Sequence, residues 1–263
     1  MRTNSGINKR QISLVVFVSV ILFFYIPLLV LILYSFNSGK TMVWRGFSLQ
    51  WYEELFFHSS DLWSAFRSSL IVALSSSFIA TAIGTIGGIG IHWYKFKWKK
   101  YLQIVTYLPL IMPEIIIGVS LLIMFAWLKW KMSLFTIFLA HTTFNIPFVL
   151  LIISSRLDEF DYQIIEAAHD LGAKEIDTLL KVIIPMSIPG IISGFLMSMT
   201  LSLDDFVITF FVSGPGSSTL PLHIYSMINR GVFPVINALS TVLIAGTVLL
   251  SVSSKNIQKY MFK

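Results

Sequence analysis

The sequence predicts an all-α membrane protein of six transmembrane helices. Three observations predict it. The 263 residues are 56% hydrophobic and 12% charged, with a mean hydropathy of +0.80; soluble domains carry about twice that charged fraction. The apolar residues fall into six runs of about 20 or more, each with few charges. The basic residues cluster at the ends of those runs rather than on one polar face.

Span one covers about 12–36 and span two about 66–91. Span three covers about 102–128, span four about 134–155, span five about 186–211 and span six about 235–254. Span one follows basic Lys9 and Arg10. Its apolar stretch is about twice a signal-peptide core and no small-x-small site follows, so it reads as a retained helix. Spans one to four show no alternating ladder of the kind a barrel needs. The chain divides into 1–65 (the first span and an outer loop), 66–254 (a five-helix core with a cytoplasmic loop at about 156–185) and 255–263 (a short basic tail).

Lys and Arg set the orientation. Thirteen of the 19 lie on one face: Arg2, Lys9, Arg10, Lys95, Lys97, Lys99, Lys100, Arg156, Lys174, Lys181, Lys255, Lys259 and Lys263. The positive-inside rule places this face, with both termini, in the cytoplasm. The same distribution makes the net charge of +6 a topology signal and argues against a nucleic-acid partner. The basic aromatic link HWYKFKWKK reads as an anchor at anionic lipid headgroups. The aromatic outer loop after span one reads as an interfacial belt, or alternatively as a docking surface for an external partner.

Several chemistries are excluded. With no Cys there is no disulfide, thiolate site or redox pair. No GxxxxGK[ST] cradle for a nucleotide is present. GTIGGIG, at 84–90, lies inside span two without the Lys or the preceding strand, and reads as small residues for close helix packing. The five His show no metal-ligand spacing. His141 and Asn145, at i and i+4 in span four, read as interhelical hydrogen-bonding groups. No catalytic Ser/His/Asp set or carboxylate pair is apparent.

The loop EAAHDLGAKEIDTLLKVIIP, at 166–185, is polar and helical in pattern. Asp161 is a candidate N-cap. Ile164, Ala168 and Leu171 form one apolar stripe, which Gly172 ends. Ile176, Leu179, Leu180 and Ile183 form a second. These stripes are expected to pack on span ends, with Pro185 opening span five where a missing N–H costs nothing. The other face is left for a partner, with Glu166 at its rim.

Glu166, Ala167, Ala168, Gly172, Val182, Ile184 and Pro185 reproduce the EAA-x3-G-x9-I-x-L-P signature, with Val and Ile as mild departures. The chain thereby resembles the permeases of bacterial ABC importers. The blocks FSLQWYEELF, LPLIMPEIIIGVSLL, HTTFNIPFV, LSLDDFVITFFVSGPG and LPLHIYSMI are similar to the spermidine/putrescine (PotC-type) subfamily. The resemblance implies a type I importer permease fold with a MetI-like core. It implies a coupling role for Glu166, Ala167, Ala168, Gly172 and Pro185 against an ATPase subunit. It also implies a companion permease in a heterodimer, two ATPase subunits that bind ATP and Mg, and an external solute-binding protein. No cofactor and no enzymatic activity are expected of this chain itself. Permeases of the same type for phosphonate, thiamine or ferric ion, and a secondary transporter using Glu114, stand as alternatives.

Only Glu114, Asp204 and Asp205 among the 13 acids fall within spans. A membrane-embedded acid faces protein or water by default. Glu114 lies about 12 residues into span three, hence about 18 Å deep on a straight helix. Asp204 and Asp205 lie toward the outer end of span five. Neighbours on a helix point about 100° apart, so one is expected to face a cation path and the other to be structural, unless the helix breaks there. With Phe206, Phe210 and Phe211 nearby, these acids have the chemistry to pass an ammonium group.

Overall fold

The computed structural model describes residues 9–41, 43–94, 96–161, 163–231 and 233–261. Arg2, Lys95 and Lys263 of the orientation set lie outside them. The described residues form helices and one isolated bridge, Asn37 to Phe47.

Two units are distinguished by internal contact: Met1–Ser60 with Ile224–Lys263, and Asp61–His223. This boundary differs from the sequence-based division, because the last helix packs on the first. In the first unit, α1 (Lys9–Tyr34) is apolar all round, and its most apolar stretch is not buried by protein at all. That is the surface of a lipid-facing span. α12 (Phe233–Met261) packs against it. The described part of the basic tail is a continuation of that helix.

The outer loop is a folded knot around Asn37. Its Nδ2 donates to Val43 O at 2.9 Å, and its Oδ1 accepts from Arg45 N at 2.8 Å. Trp51 Nε1 donates to Asn37 O at 2.7 Å. Phe36 stacks on Phe47, with 5.4 Å between ring centres. The short helix α2 (Gln50–Glu53) and a π turn (Glu54–His58) complete the loop.

The second unit is built on α3 (Ser60–Trp93), α6 (Leu134–Asp158) and α9 (Ile184–Asp204). Small residues bring these helices together. A Cβ on Gly84 would stand 2.7 Å from Val149 Cγ1, and one on Gly88 would stand 2.9 Å from Ile153 Cγ2. Gly84, Gly87 and Gly88 of GTIGGIG are thus packing residues, as expected, while a Cβ on Gly90 would meet nothing within 4 Å. On α9, Ser187, Gly190, Gly194, Ser198 and Ser202 form the buried face against α6.

Two expected spans are not single straight helices. Span three is α4 (Lys99–Ile111) and α5 (Glu114–Trp127), bent by 110° at the intervening Met112-Pro113. Pro113 removes a backbone donor and disfavours a helical Met112. Span five ends at Asp204 rather than near 211, and a separate α10 (Val207–Val212) follows. Among the described residues, four helices are long and apolar enough to cross a membrane, or five with the bent pair as one. The sixth expected span has a shorter apolar stretch, Pro234–Leu249, within α12.

Candidate functional site

The loop between α6 and α9 folds into α7 (Gln163–Asp170), α8 (Glu175–Thr178) and a π turn (Leu179–Ile183). Asp161 Oδ1 accepts from Gln163 N at 3.0 Å, which is the expected capping role. Gly172 adopts φ +85°, where a Cβ is disfavoured. The chain closes α7 with Gly172 N to His169 O at 2.8 Å and Ala173 N to Ala168 O at 3.0 Å. These two bonds are a Schellman closure.

The apolar stripes pack only in part as expected. Ile165 is the buried residue of α7, together with Ile183 after α8. Ile164, Leu171, Ile176 and Leu180 are exposed, with Leu171 at 89%. In α7 the buried residue lies one position off the expected stripe, so that stripe is turned outward, whereas Ile183 and Leu179 of the second stripe pack against Ile89, Val149, Ile153 and Leu157 as expected, leaving Ile176 and Leu180 uncovered. Glu166 and Ala167 are exposed and Ala168 is half-buried on the same loop. A folded loop that leaves four large apolar side chains uncovered presents a docking face. Lys181 holds Asp177 at 2.7 Å, and this hydrogen bond lowers the Asp177 carboxyl below its ordinary range.

Pro185 does not open a fresh helix. Glu175–Asp204 is one continuous run of 30 residues. The missing Pro185 N–H leaves the carbonyl four residues back without an α-type donor, and the π turn at Leu179–Ile183 absorbs the irregularity. α9 therefore connects the loop to the pair Asp204–Asp205 without interruption.

At that far end the two acids separate. Asp204 is exposed, and Asp205 is 9% exposed. Asp205 Oδ1 accepts from Ile208 N at 3.1 Å, and Oδ2 accepts from Thr209 N and Thr209 Oγ1, each at 2.8 Å. It thus satisfies the free N–H groups at the start of α10. His141 Nε2 lies 3.1 Å from Asp205 Oδ2, and His141 Nδ1 lies 2.7 Å from Ser202 Oγ. Ser202 Oγ in turn meets Ser76 Oγ at 3.3 Å. One proton arrangement satisfies the chain: Ser76 donates to Ser202, Ser202 to Nδ1, and Nε2–H to Asp205.

Ser202, His141 and Asp205 therefore fall in line, an arrangement the sequence did not reveal. All three are at most 9% exposed, so no substrate reaches the serine. They form a latch that ties α3, α6 and α9 to the break. His141 meets the interhelical expectation. Asn145 does not: it is fully buried, and neither side-chain amide atom has a partner within the described residues.

Glu114 is the first residue of α5, directly after the 110° bend, and is exposed. The depth expected from a straight helix does not apply, because the axis turns before Glu114 is reached. Its carboxylate is within Coulombic range of Asp204 and Asp205. α5 packs on α10, where Gly118 lies against Ile208 and Phe211. The bend and the break thus bring together the three membrane acids. Among the described residues no cluster of metal-ligating side chains occurs.

The sequence profile of the family described as "Binding-protein-dependent transport system inner membrane component" matches residues 80–263. The chain is 37% identical over 238 residues to the Escherichia coli K12 spermidine/putrescine transport system permease protein PotC, covering 90% of each. It is 43% identical over 230 residues to the putrescine transport system permease protein PotI of the same organism, covering 84% of this chain and 82% of the relative. In fold it is similar to a chain of a bacterial ABC transporter involved in import of the acidic polysaccharide alginate. That match has a TM-score of 0.70 and 12% identity, covering 99% of both chains. The profile match over most of the chain and the identity to permeases over nearly their whole length place this protein in the family of binding-protein-dependent transport system inner membrane components.

Proposed function

We propose that the chain is the membrane-spanning subunit of an ATP-driven importer of polyamines, with spermidine and putrescine as the substrate class. The observation that carries the coupling half of this reading is α9 with its preceding turn. One helical run joins the outward-turned loop to Asp204, so displacement of the loop is transmitted along a rod of 30 residues, about 45 Å at 1.5 Å per residue. The loop residues Glu166, Ala167, Ala168 and Gly172, with Pro185 at the base, form the surface offered to an ATPase subunit. That partner binds ATP and Mg and performs the hydrolysis.

In the membrane, Glu114 and Asp204 are the acids of the cation path. Both are exposed, and a multiply charged amine needs acceptors along a low-dielectric route. Asp205 holds the break in shape from behind. A companion permease supplies the other half of the path in a heterodimer, a second ATPase subunit completes the motor, and an external binding protein delivers the solute. Both termini lie in the cytoplasm. The names of the relatives PotC and PotI support the polyamine over phosphonate, thiamine or ferric ion, and family membership supports an importer subunit over a secondary transporter. Reconstitution of the full complex tests the reading. ATP-dependent uptake of labelled spermidine and putrescine is expected, with none of phosphonate or thiamine; uptake of the latter pair alone would overturn it.

A further inference from the structure

A cavity of about 250 Å³ lies between α7–α8 of the coupling loop and the end of α3. Its floor is apolar and includes the buried Ile165 and Ile183. Trp93 and Tyr94 form one wall, and Glu175 and Thr178 stand on the wall contributed by α8. Thr178 is 2% exposed and its Oγ1 has no partner among the described residues. A buried hydroxyl is normally hydrogen-bonded, so this one awaits a ligand atom. Glu175 also stands apart from its neighbours. Lys181 pairs with Asp177 and Arg156 with Glu159, while Glu175 pairs with no base among the described residues.

These walls select one chemistry. A carboxylate repels phosphates and carboxylates. Together with aromatic faces it attracts an ammonium group. The apolar floor suits methylene groups, and the Thr178 oxygen is an acceptor for an N–H. An alkyl chain carrying amines satisfies all of these groups at once. We propose that this cavity binds a cytoplasmic alkyl diamine or polyamine, bridging α8 to the end of α3. This rests on the polyamine reading above and extends it: the imported species, on reaching the inner side, restrains the loop that engages the ATPase. None of the exposed Ile164, Leu171, Ile176 and Leu180 lines the cavity, so the amine and the ATPase subunit use different side chains of the loop.

The test uses the purified permease–ATPase complex without the external binding protein. Equilibrium dialysis with labelled spermidine compares the native chain with Glu175→Gln and Tyr94→Ala, each checked for copurification of the ATPase subunit. Binding is expected for the native complex and weakened about tenfold or more by either variant, as loss of one charged or cation–π contact predicts. Equal binding by native and both variants would overturn the site. So would no binding by a native complex that still imports spermidine when its binding protein is added, which leaves the transport reading intact. A complex that neither imports nor binds spermidine would remove both.

Discussion

His141 and Asp205, 64 residues apart, meet at 3.1 Å with side chains only 1% and 4% exposed. Asp204, next along the chain, stands exposed. Two adjacent acids are thereby given different work by one helix break. The buried one is held by a histidine, a threonine and two backbone donors, and under the proposal above the exposed one is available to a passing cation.

That division predicts opposite phenotypes. Asp205→Ala removes one partner of a buried charged network and is expected to destabilise the protein by about 3 kcal/mol. Asp204→Asn is expected to leave thermal unfolding in detergent unchanged while cutting polyamine uptake sharply, with assembly and basal ATPase activity intact. Unfolding curves and uptake of the two variants, measured side by side, check this; normal uptake by Asp204→Asn would remove that residue from the path.

Gly172 separates strain from clash. Its φ is +85°, yet a Cβ there would meet nothing within 4 Å. Gly172→Val is therefore expected to insert normally, distort the end of α7 at a cost of about 1–3 kcal/mol and abolish uptake. Gly172→Asn, a residue that tolerates this conformation, is expected to retain most of it. Equal activity of the two variants in a transport assay would show that loop geometry here is not needed.

Packing of α3 on α6 gives a third test. Gly84→Val places new atoms where Val149 already sits and is expected to cost about 1–3 kcal/mol by overpacking. Val149→Ala in the same chain is expected to restore part of the loss. Thermal unfolding of the single and double variants measures the coupling between the two positions.

The orientation is open to cysteine labelling, since the native chain has no Cys. Cysteines at Lys97 and Ile176 are expected to be shielded from an impermeant thiol reagent in whole cells, and one at Pro215 to react; all three positions are exposed on the chain. Ser217 is unsuitable, because it is buried and its hydroxyl is bonded to Gly214. Labelling of Ile176→Cys from outside would reverse the topology and detach the loop from any cytoplasmic ATPase.

The sequence by itself determined what depends on composition and local pattern. Long apolar runs must leave water, so the spans were legible, and the basic residues at their ends give the expected orientation that the cysteine labelling tests. Gly172 and Asp161 were legible because caps follow from residue type. Tertiary structure alone decided which faces those helices turn toward each other. A single-residue offset, Ile165 in place of Ile164 and Leu171, exposes the stripe, and helical periodicity cannot fix such a phase on an eight-residue helix. It decided that span three turns by 110° and that span five stops at Asp204. The sequence marked the prolines at the first. At the second the local cap that Asp205 gives Ile208 and Thr209 is completed by His141, 64 residues away. A buried hydrogen bond between distant segments has no sequence period, and that is why Asp204 and Asp205, alike in the sequence, could be told apart only once the chain was folded.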